Sequence, residues 1–370
     1  MKIRAAAAVL ICALFGLVLP AMAQAPRQDI AWARRSLTPI TLDGKLDESG
    51  WAKAESKVLV FGKDNGIPGS GWKIEGGFLP TDSTKATIKL LTYENQLYLG
   101  AVIPDKSIGG SPDFNRFDGL LMAIKDHANG MFPKPPAEYL YSWWFPDSLT
   151  LTPGVLPDFR GSWGIDEFGV RDSADVANWD AVTVVQGLTN SDAVADTSWT
   201  VEMRFNLTPM GYDVTQPGGD IVEWNISIYD CDWLWPMVFQ LSYNRVWWQS
   251  PWGNASWFDE VHVFARPDVT EDSGPLPYVA PEVYIPEGIG YADPTVDGSL
   301  AEPVWSAIDG FDIRFGDETL RASYPGVGPY RSGEYEVNLP WGQATVLDPG
   351  DATVKMFFKG TKLYMGFDVR

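Results

Sequence analysis

The stretch Thr41-Leu42-Asp43-Gly44-Lys45-Leu46-Asp47-Glu48-Ser49-Gly50-Trp51 returns as Thr295-Val296-Asp297-Gly298-Ser299-Leu300-Ala301-Glu302-Pro303-Val304-Trp305. Six of the eleven positions are identical, at an offset of 254. A second match follows in the same order. Ala86-Thr87-Ile88-Lys89-Leu90-Leu91 through Leu97-Tyr98-Leu99-Gly100 aligns with Ala352-Thr353-Val354-Lys355-Met356-Phe357 through Leu363-Tyr364-Met365-Gly366. Six of those fifteen positions are identical, at an offset of 266, so a loop has changed length between the two matches. Ordered matches of this kind are the mark of one structural unit used twice.

Outward from these segments the chain reads as strands. Residues 86–93 and 97–103 are apolar or alternating runs around Glu94-Asn95-Gln96, a hairpin signal. Short β-branched or aromatic runs follow at 119–124, 139–145, 181–185, 199–205, 222–229, 238–243 and 261–264. Gly, Pro, Asp and Asn clusters separate them, and no long 3.6-residue periodicity occurs. The expectation is an all-β chain: an antiparallel, jelly-roll-like β-sandwich with a truncated second copy at the C-terminus. Loops at 62–82 and 126–138 are long, which in a compact domain points to function.

The N-terminus adds a compartment. Lys2 and Arg4 precede an apolar run over residues 5–19, and Ala21-Met22-Ala23 offers a small-residue cleavage site. Residues 1–23 therefore read as a secretory signal peptide rather than a membrane anchor, with export to the periplasm or beyond. Residues 24–37 are a lead, 38–266 the first sandwich, 267–289 a proline-rich linker, and 290–370 an incomplete second sandwich expected to pack poorly. Removal of the signal takes Cys12 with it and leaves Cys231 as the sole cysteine, so no internal disulfide forms. The formal net charge of −20 argues against nucleic acid and anionic lipid as partners. No second segment is apolar for long enough to span a membrane.

No catalytic motif is present. The mature chain has two histidines, His127 and His262, far apart in sequence and without a nucleophile motif nearby, which favours structural roles. Aromatics are the larger anomaly: 17 Trp, and Phe, Trp and Tyr together 13% of the chain. Most are expected in the core, including Trp51, Trp199 and Trp224. Trp252 lies in the turn-rich Ser250-Pro251-Trp252-Gly253-Asn254, where an apolar ring is hard to bury and suits the face of a sugar. Acidic clusters at Asp43, Asp47 and Glu48, at Asp297 and Glu302, and at Asp230 and Asp232 make calcium a candidate cofactor. Capping of Asp-Gly turns is the plainer role for the first two clusters.

These segments together resemble family 9 carbohydrate-binding modules. The resemblance rests on Leu42-Asp43-Gly44 through Trp51, the 86–98 hairpin with Pro104-Asp105, the run Asp118 to Asp126, and Trp199-Thr200-Val201-Glu202. Pro217-Gly218, Trp224-Asn225 and Trp252…Phe258…Val261 extend it. It covers residues 38–266 and restarts near 290. It implies a β-sandwich that binds an oligosaccharide or polysaccharide without catalysis. It also implies site residues: Trp252 as one aromatic clamp, Phe114 in place of the other, Asn225 as a polar contact, and Glu138 beside Leu140 where the family has a Gln and Arg pair. Leu121 falls where the family places a glutamate. Two other readings stay open. One is a haem-binding domain of the ethylbenzene dehydrogenase gamma-subunit type, with Met122, Met131, Met203 and Met237 as candidate axial ligands. The other is a structural or interaction module without a ligand.

Overall fold

The computed structural model describes residues 27–80, 82–129, 135–147, 152–162, 165–170, 175–235, 239–250, 261–280, 283–314, 338–339, 342–343, 347 and 350–370. Residues 1–23, read as a signal peptide, and Trp252, Met131 and Met237 lie outside them. In chain order the elements are β1 (Ile30–Trp32), β2 (Arg34–Arg35), α1 (Ser49–Lys53), β3 (Ser56–Val60), β4 (Gly71–Gly77), β5 (Lys85–Tyr93) and β6 (Gln96–Pro104). Then come β7 (Gly119–Lys125), β8 (Pro136–Ser142), β9 (Asp158–Ser162), β10 (Ile165–Val170), β11 (Trp179–Gln186), β12 (Ser198–Asn206), β13 (Asp220–Leu234), β14 (Phe239–Trp248) and β15 (Val261–Ala265). The C-terminal part holds α2 (Pro303–Ala307), β16 (Gly310–Arg314), β17 (Asn338–Leu339), β18 (Gly342–Gln343), β19 (Asp351–Lys359) and β20 (Lys362–Val369).

Two sheets pack face to face. One has nine strands, in the order β1-β15-β13-β7-β8-β9-β10, with β14 pairing β13 and β4 pairing β14. The other has six, β11-β12-β6-β5-β2, with β3 on β5. Within these two sheets only β1–β15 and β2–β5 are parallel. The period of two along each strand sends alternate side chains inward. From the six-stranded sheet come Leu97, Leu99, Ala101, Ile103, Val201, Met203 and Phe205; from the nine-stranded sheet come Leu120, Met122, Ile124, Val222, Trp224, Ile226 and Ile228. All of these are fully buried. Each large side chain so placed contributes about 1.5–3 kcal/mol of transfer free energy. Trp51, Trp199 and Trp224 are buried as expected, Trp199 on β12 and Trp224 on β13, whereas Trp51 sits on the short helix α1 rather than on a strand.

Where the structure differs from the sequence reading, the reasons are local. The long loop at 62–82 contains β4, which pairs with β14. Its glycines and mostly exposed side chains leave no apolar alternation to read. The strand read at 139–145 ends at Ser142, after which Trp143 turns inward and its indole donates to the Val155 carbonyl (2.9 Å). Part of the lead, as β1 and β2, joins both sheets. The linker's first part is also held: Val269, Leu276 and Val279 pack on Ile30, Trp32 and Phe264. Glu271 there accepts from Ser49 Oγ (2.6 Å) and from the Leu37 amide (3.1 Å).

Residues 295–314 and 351–370 build a smaller assembly, the sheet β16-β19-β20 with α2 on one side. Several of its contacts match those around α1. Thr41 N donates to Glu48 Oε1 (2.8 Å), and Thr295 N to Glu302 Oε1 (2.8 Å). Lys89 Nζ donates to the Trp51 carbonyl (2.5 Å), and Lys355 Nζ to the Trp305 carbonyl (2.5 Å). Gly100 and Gly366 are needed for the same reason. A Cβ on Gly100 would meet Leu46 Cδ2 at 2.6 Å, and one on Gly366 would meet Leu300 Cδ2 at 2.7 Å. A third strand joins the β19–β20 hairpin here, because β16 pairs β19 as β3 pairs β5.

Candidate functional site

The outer face of the nine-stranded sheet collects the polar residues of its strands in cross-strand rows. Residues opposite one another on neighbouring strands share a face, so the register fixes each row. One row runs Glu138–Ala123–Asn225 across β8, β7 and β13. The next runs Arg160–Leu140–Leu121–Ser227–Trp247 from β9 to β14. A third runs Asp158–Ser142–Gly119–Tyr229–Arg245. Asn225 and Glu138, 87 positions apart in the chain, therefore flank one small side chain, Ala123. Their Cα atoms lie two strand spacings apart, about 10 Å. Glu138 is half-buried and Asn225 fully buried.

An aromatic wall borders these rows. Phe114, half-buried in the turn before β7, stands edge-on to Trp144 (centroids 5.1 Å, 71°) and to Phe117 (5.8 Å, 65°). Phe117 leans on Tyr229 (5.1 Å). The Arg160 guanidinium lies over the Trp144 ring at 5.1 Å. Arg245 lies over Tyr229 at 5.5 Å, donates to the Tyr229 hydroxyl (3.0 Å) and pairs with Glu75 (2.5 Å). The register thus gathers Glu138, Asn225, Leu121 and Leu140 on one face, while Phe114 sits in the turn before β7 against Trp144 and Phe117. Leu121 and Leu140 are apolar and fully buried, so the row below Glu138 offers no carboxylate or guanidinium of its own except Arg160 at its end. Sequence reading missed Arg160, Trp144, Tyr229 and Arg245. Period-two counting outward from Glu138 and Asn225 would have found Tyr229.

The two histidines meet at a carboxylate one row away. His127 Nε2 contacts Glu223 Oε2, His262 Nε2 lies 3.9 Å from Oε1, and Lys125 Nζ lies 4.0 Å from Oε1. Burial works to raise the Glu223 carboxyl, but the His127 hydrogen bond and the Lys125 charge outweigh it and hold it below the usual range. A second polar set, around Cys231, is different in kind. Asp105, Asp118, Asp230 and Asp232 are all buried. Burial pushes Asp105 up to about 7, and burial with the Asp105 charge pushes Asp118 and Asp230 up as well.

Among the described residues no three His, Cys, Asp or Glu side chains stand in an arrangement that could hold a metal ion. Of the turn carboxylates considered for calcium, Asp43 Oδ1 accepts from the Lys45 amide (3.0 Å) and Asp297 Oδ1 from the Ser299 amide (2.9 Å). Of the methionines considered for haem, Met122 and Met203 point into the sandwich core. No described helix is long and apolar enough to cross a membrane.

No known family model and no curated protein matches the sequence. Among solved structures, a carbohydrate binding module family 9 from Caldicellulosiruptor kristjanssonii in complex with cellotriose is similar over 67% of this chain and 98% of its own, with 13% identity and a TM-score of 0.40. A family 9 module from the same organism in complex with glucose is similar over 65% and 96%, with 14% identity and a TM-score of 0.37.

Proposed function

We propose that the chain is a non-catalytic glycan-binding module of an exported protein, with its sugar site on the outer face of the nine-stranded sheet. One observation carries the reading: Glu138 and Asn225 flank Ala123 in a single cross-strand row, on the face whose rows further along β7 are bordered by the Phe114–Trp144 pair. A pyranose needs an aromatic surface for its C–H face and acceptors and donors for its hydroxyls. The wall supplies the first, and a carboxylate and an amide supply the second. Trp252, outside the described residues, is kept in the proposal as a candidate platform because of its turn-rich sequence context. Export follows from the basic flank, apolar run and small-residue exit of residues 1–23.

The test is a tryptophan-fluorescence titration of the chain with glucose, cello-oligosaccharides and xylo-oligosaccharides. Saturable binding is expected, weakened about tenfold or more by Glu138→Gln, Phe114→Ala or Trp252→Ala. A folded chain that responds to none of these sugars would leave a structural or interaction module as the better reading.

A further inference from the structure

Among the described residues two arginines are buried, and the register places both on the outer face of the nine-stranded sheet. Arg245 is matched from within the chain, by Glu75 and by the Tyr229 hydroxyl. Arg160 is not. It is 7% exposed, and its Nε is buried without a hydrogen-bond partner. Its one ion-pair contact among the described residues is Asp158, with Oδ2 at 3.5 Å from Nη2, too long for a good charge-assisted bond. Asp158 is itself half in water, which screens the pair further. Burying a guanidinium without a well-placed anion costs free energy that a later partner can recover. The position of Arg160 is fixed rather than adaptable. Its backbone pairs with Leu140 of β8, and its guanidinium lies 5.1 Å from the Trp144 ring. Trp144 is held in turn: its indole N–H donates to the Pro112 carbonyl (3.0 Å), and it stands edge-on to Phe114. The next two members of the row, Leu140 and Leu121, bring no charge.

We infer that Arg160 is the anion-recognising residue of the sugar site, and that the ligand is a glycan carrying a uronic acid whose carboxylate takes the guanidinium fork. The inference rests on the glycan reading above and adds the substrate class to it. A planar guanidinium meets a carboxylate with two parallel N–H bonds, a match that an ammonium cannot make. Phe114, half-buried beside Trp144, supplies apolar surface for the sugar ring. Glu138 stands two residues from Leu140 on β8, so its row lies about 7 Å from that of Arg160. That is near enough for a neighbouring neutral unit of the same saccharide to meet Glu138. The field of the whole molecule narrows the class further. With a formal net charge of −20, the chain repels a heavily sulfated or polyuronate glycan along its length. One carboxylate on an otherwise neutral glycan avoids most of that repulsion and meets its counter-charge in a largely water-free place.

The probes are xylotriose bearing one glucuronic acid, the methyl ester of that sugar and plain xylotriose, each titrated into the full chain by calorimetry. The acidic sugar should bind about tenfold or more tightly than either neutral one. Arg160→Gln should bring the ratio of acidic to neutral affinity close to one. Arg160→Lys, which keeps a charge and loses the fork, should restore only part of it. Arg116→Gln, which removes the arginine on the turn beside Phe114, should leave the ratio as it is. The ester comparison needs no variant, so it decides the matter even where Arg160→Gln fails to fold. Equal affinity for the three sugars would overturn the inference and leave the glycan reading standing, whereas binding of none would end both. A preference for the acidic sugar that persists in folded Arg160→Gln would overturn it as well. So would displacement of the acidic sugar by an equal concentration of sulfate, which would make this a general anion site.

Discussion

Two parts of this molecule share a local design and differ in what lies over it. Around α1 and around α2 the same tryptophan, glutamate, lysine and glycine make the same contacts at nearly the same distances. The motif therefore forms from its own residues, without help from the rest of a sandwich. Burial is another matter. In the first copy the inward faces of β5 and β6 are covered by the nine-stranded sheet, which gathers strands from β1 near the start of the domain to β15 near its end. In the second copy, the side chains of β20 equivalent to those on β6 stay open to solvent. Local pattern specifies the hairpin and its cap; most of the stabilisation comes from partners far away in sequence.

The widest contrast should come from one substitution made at equivalent positions. Leu99→Lys puts an ammonium without a partner into the sandwich core, and a loss of more than about 4 kcal/mol is expected, enough to abolish the main cooperative unfolding transition. Met365→Lys changes a side chain that is half in water, and a change within about 0.5 kcal/mol is expected. Chemical denaturation of the two variants measures both. Similar losses would mean that the β20 face is covered in solution and would end the comparison. Next in size is Glu202→Gln. It leaves at least one of the three donors to that carboxylate, Trp51 Nε1, Asp43 N and Gly44 N, badly matched, with an expected cost of about 1–3 kcal/mol in the same transition. Exchange of amides over 362–369 should be untouched by it, since Glu202 does not reach the second copy.

How much of this could be read beforehand follows the same division. The repeat, the 86–103 hairpin and the buried Trp51, Trp199 and Trp224 are local or period-two features, and all were legible. β4 was not, because it is an exposed, glycine-bearing strand held by pairing to β14 rather than by its own pattern. The candidate site was legible by residue and not by geometry. Asn225 and Glu138 could be picked out one by one, but only the β8–β7–β13 register puts them in one row, and Phe114 lies off it in the turn before β7. The Glu223 cluster went unread for the same reason. Two histidines 135 positions apart carry no signal until β13 and β15 pair Glu223 with His262.

The smallest expected effect sets the two regions against each other in sign. In the first sandwich the Asp105 carboxyl sits near 7 because it is buried, with Asp232 and Asp82 adding repulsion. Its unfolded counterpart titrates near 4. Between those values the folded state holds more protons than the unfolded one, so stability falls as pH rises from about 4 to about 7. In the second region Asp293 and Asp312 are lowered, Asp293 by hydrogen bonds from Lys359 and Lys362 and Asp312 by one from Thr353. Those groups favour the folded state above about 4, and their contribution is lost as pH falls below it. Both are exposed, so salt should screen most of their effect. Calorimetry at several pH values should show the main transition dropping by a few °C, roughly, over the upper window. Asp105→Asn should flatten that drop, because the amide oxygen can still accept from the Ser107 amide (2.8 Å) while no charge is buried. An unchanged slope in this variant would mean that Asp118 and Asp230, not Asp105, hold the proton that the cluster retains.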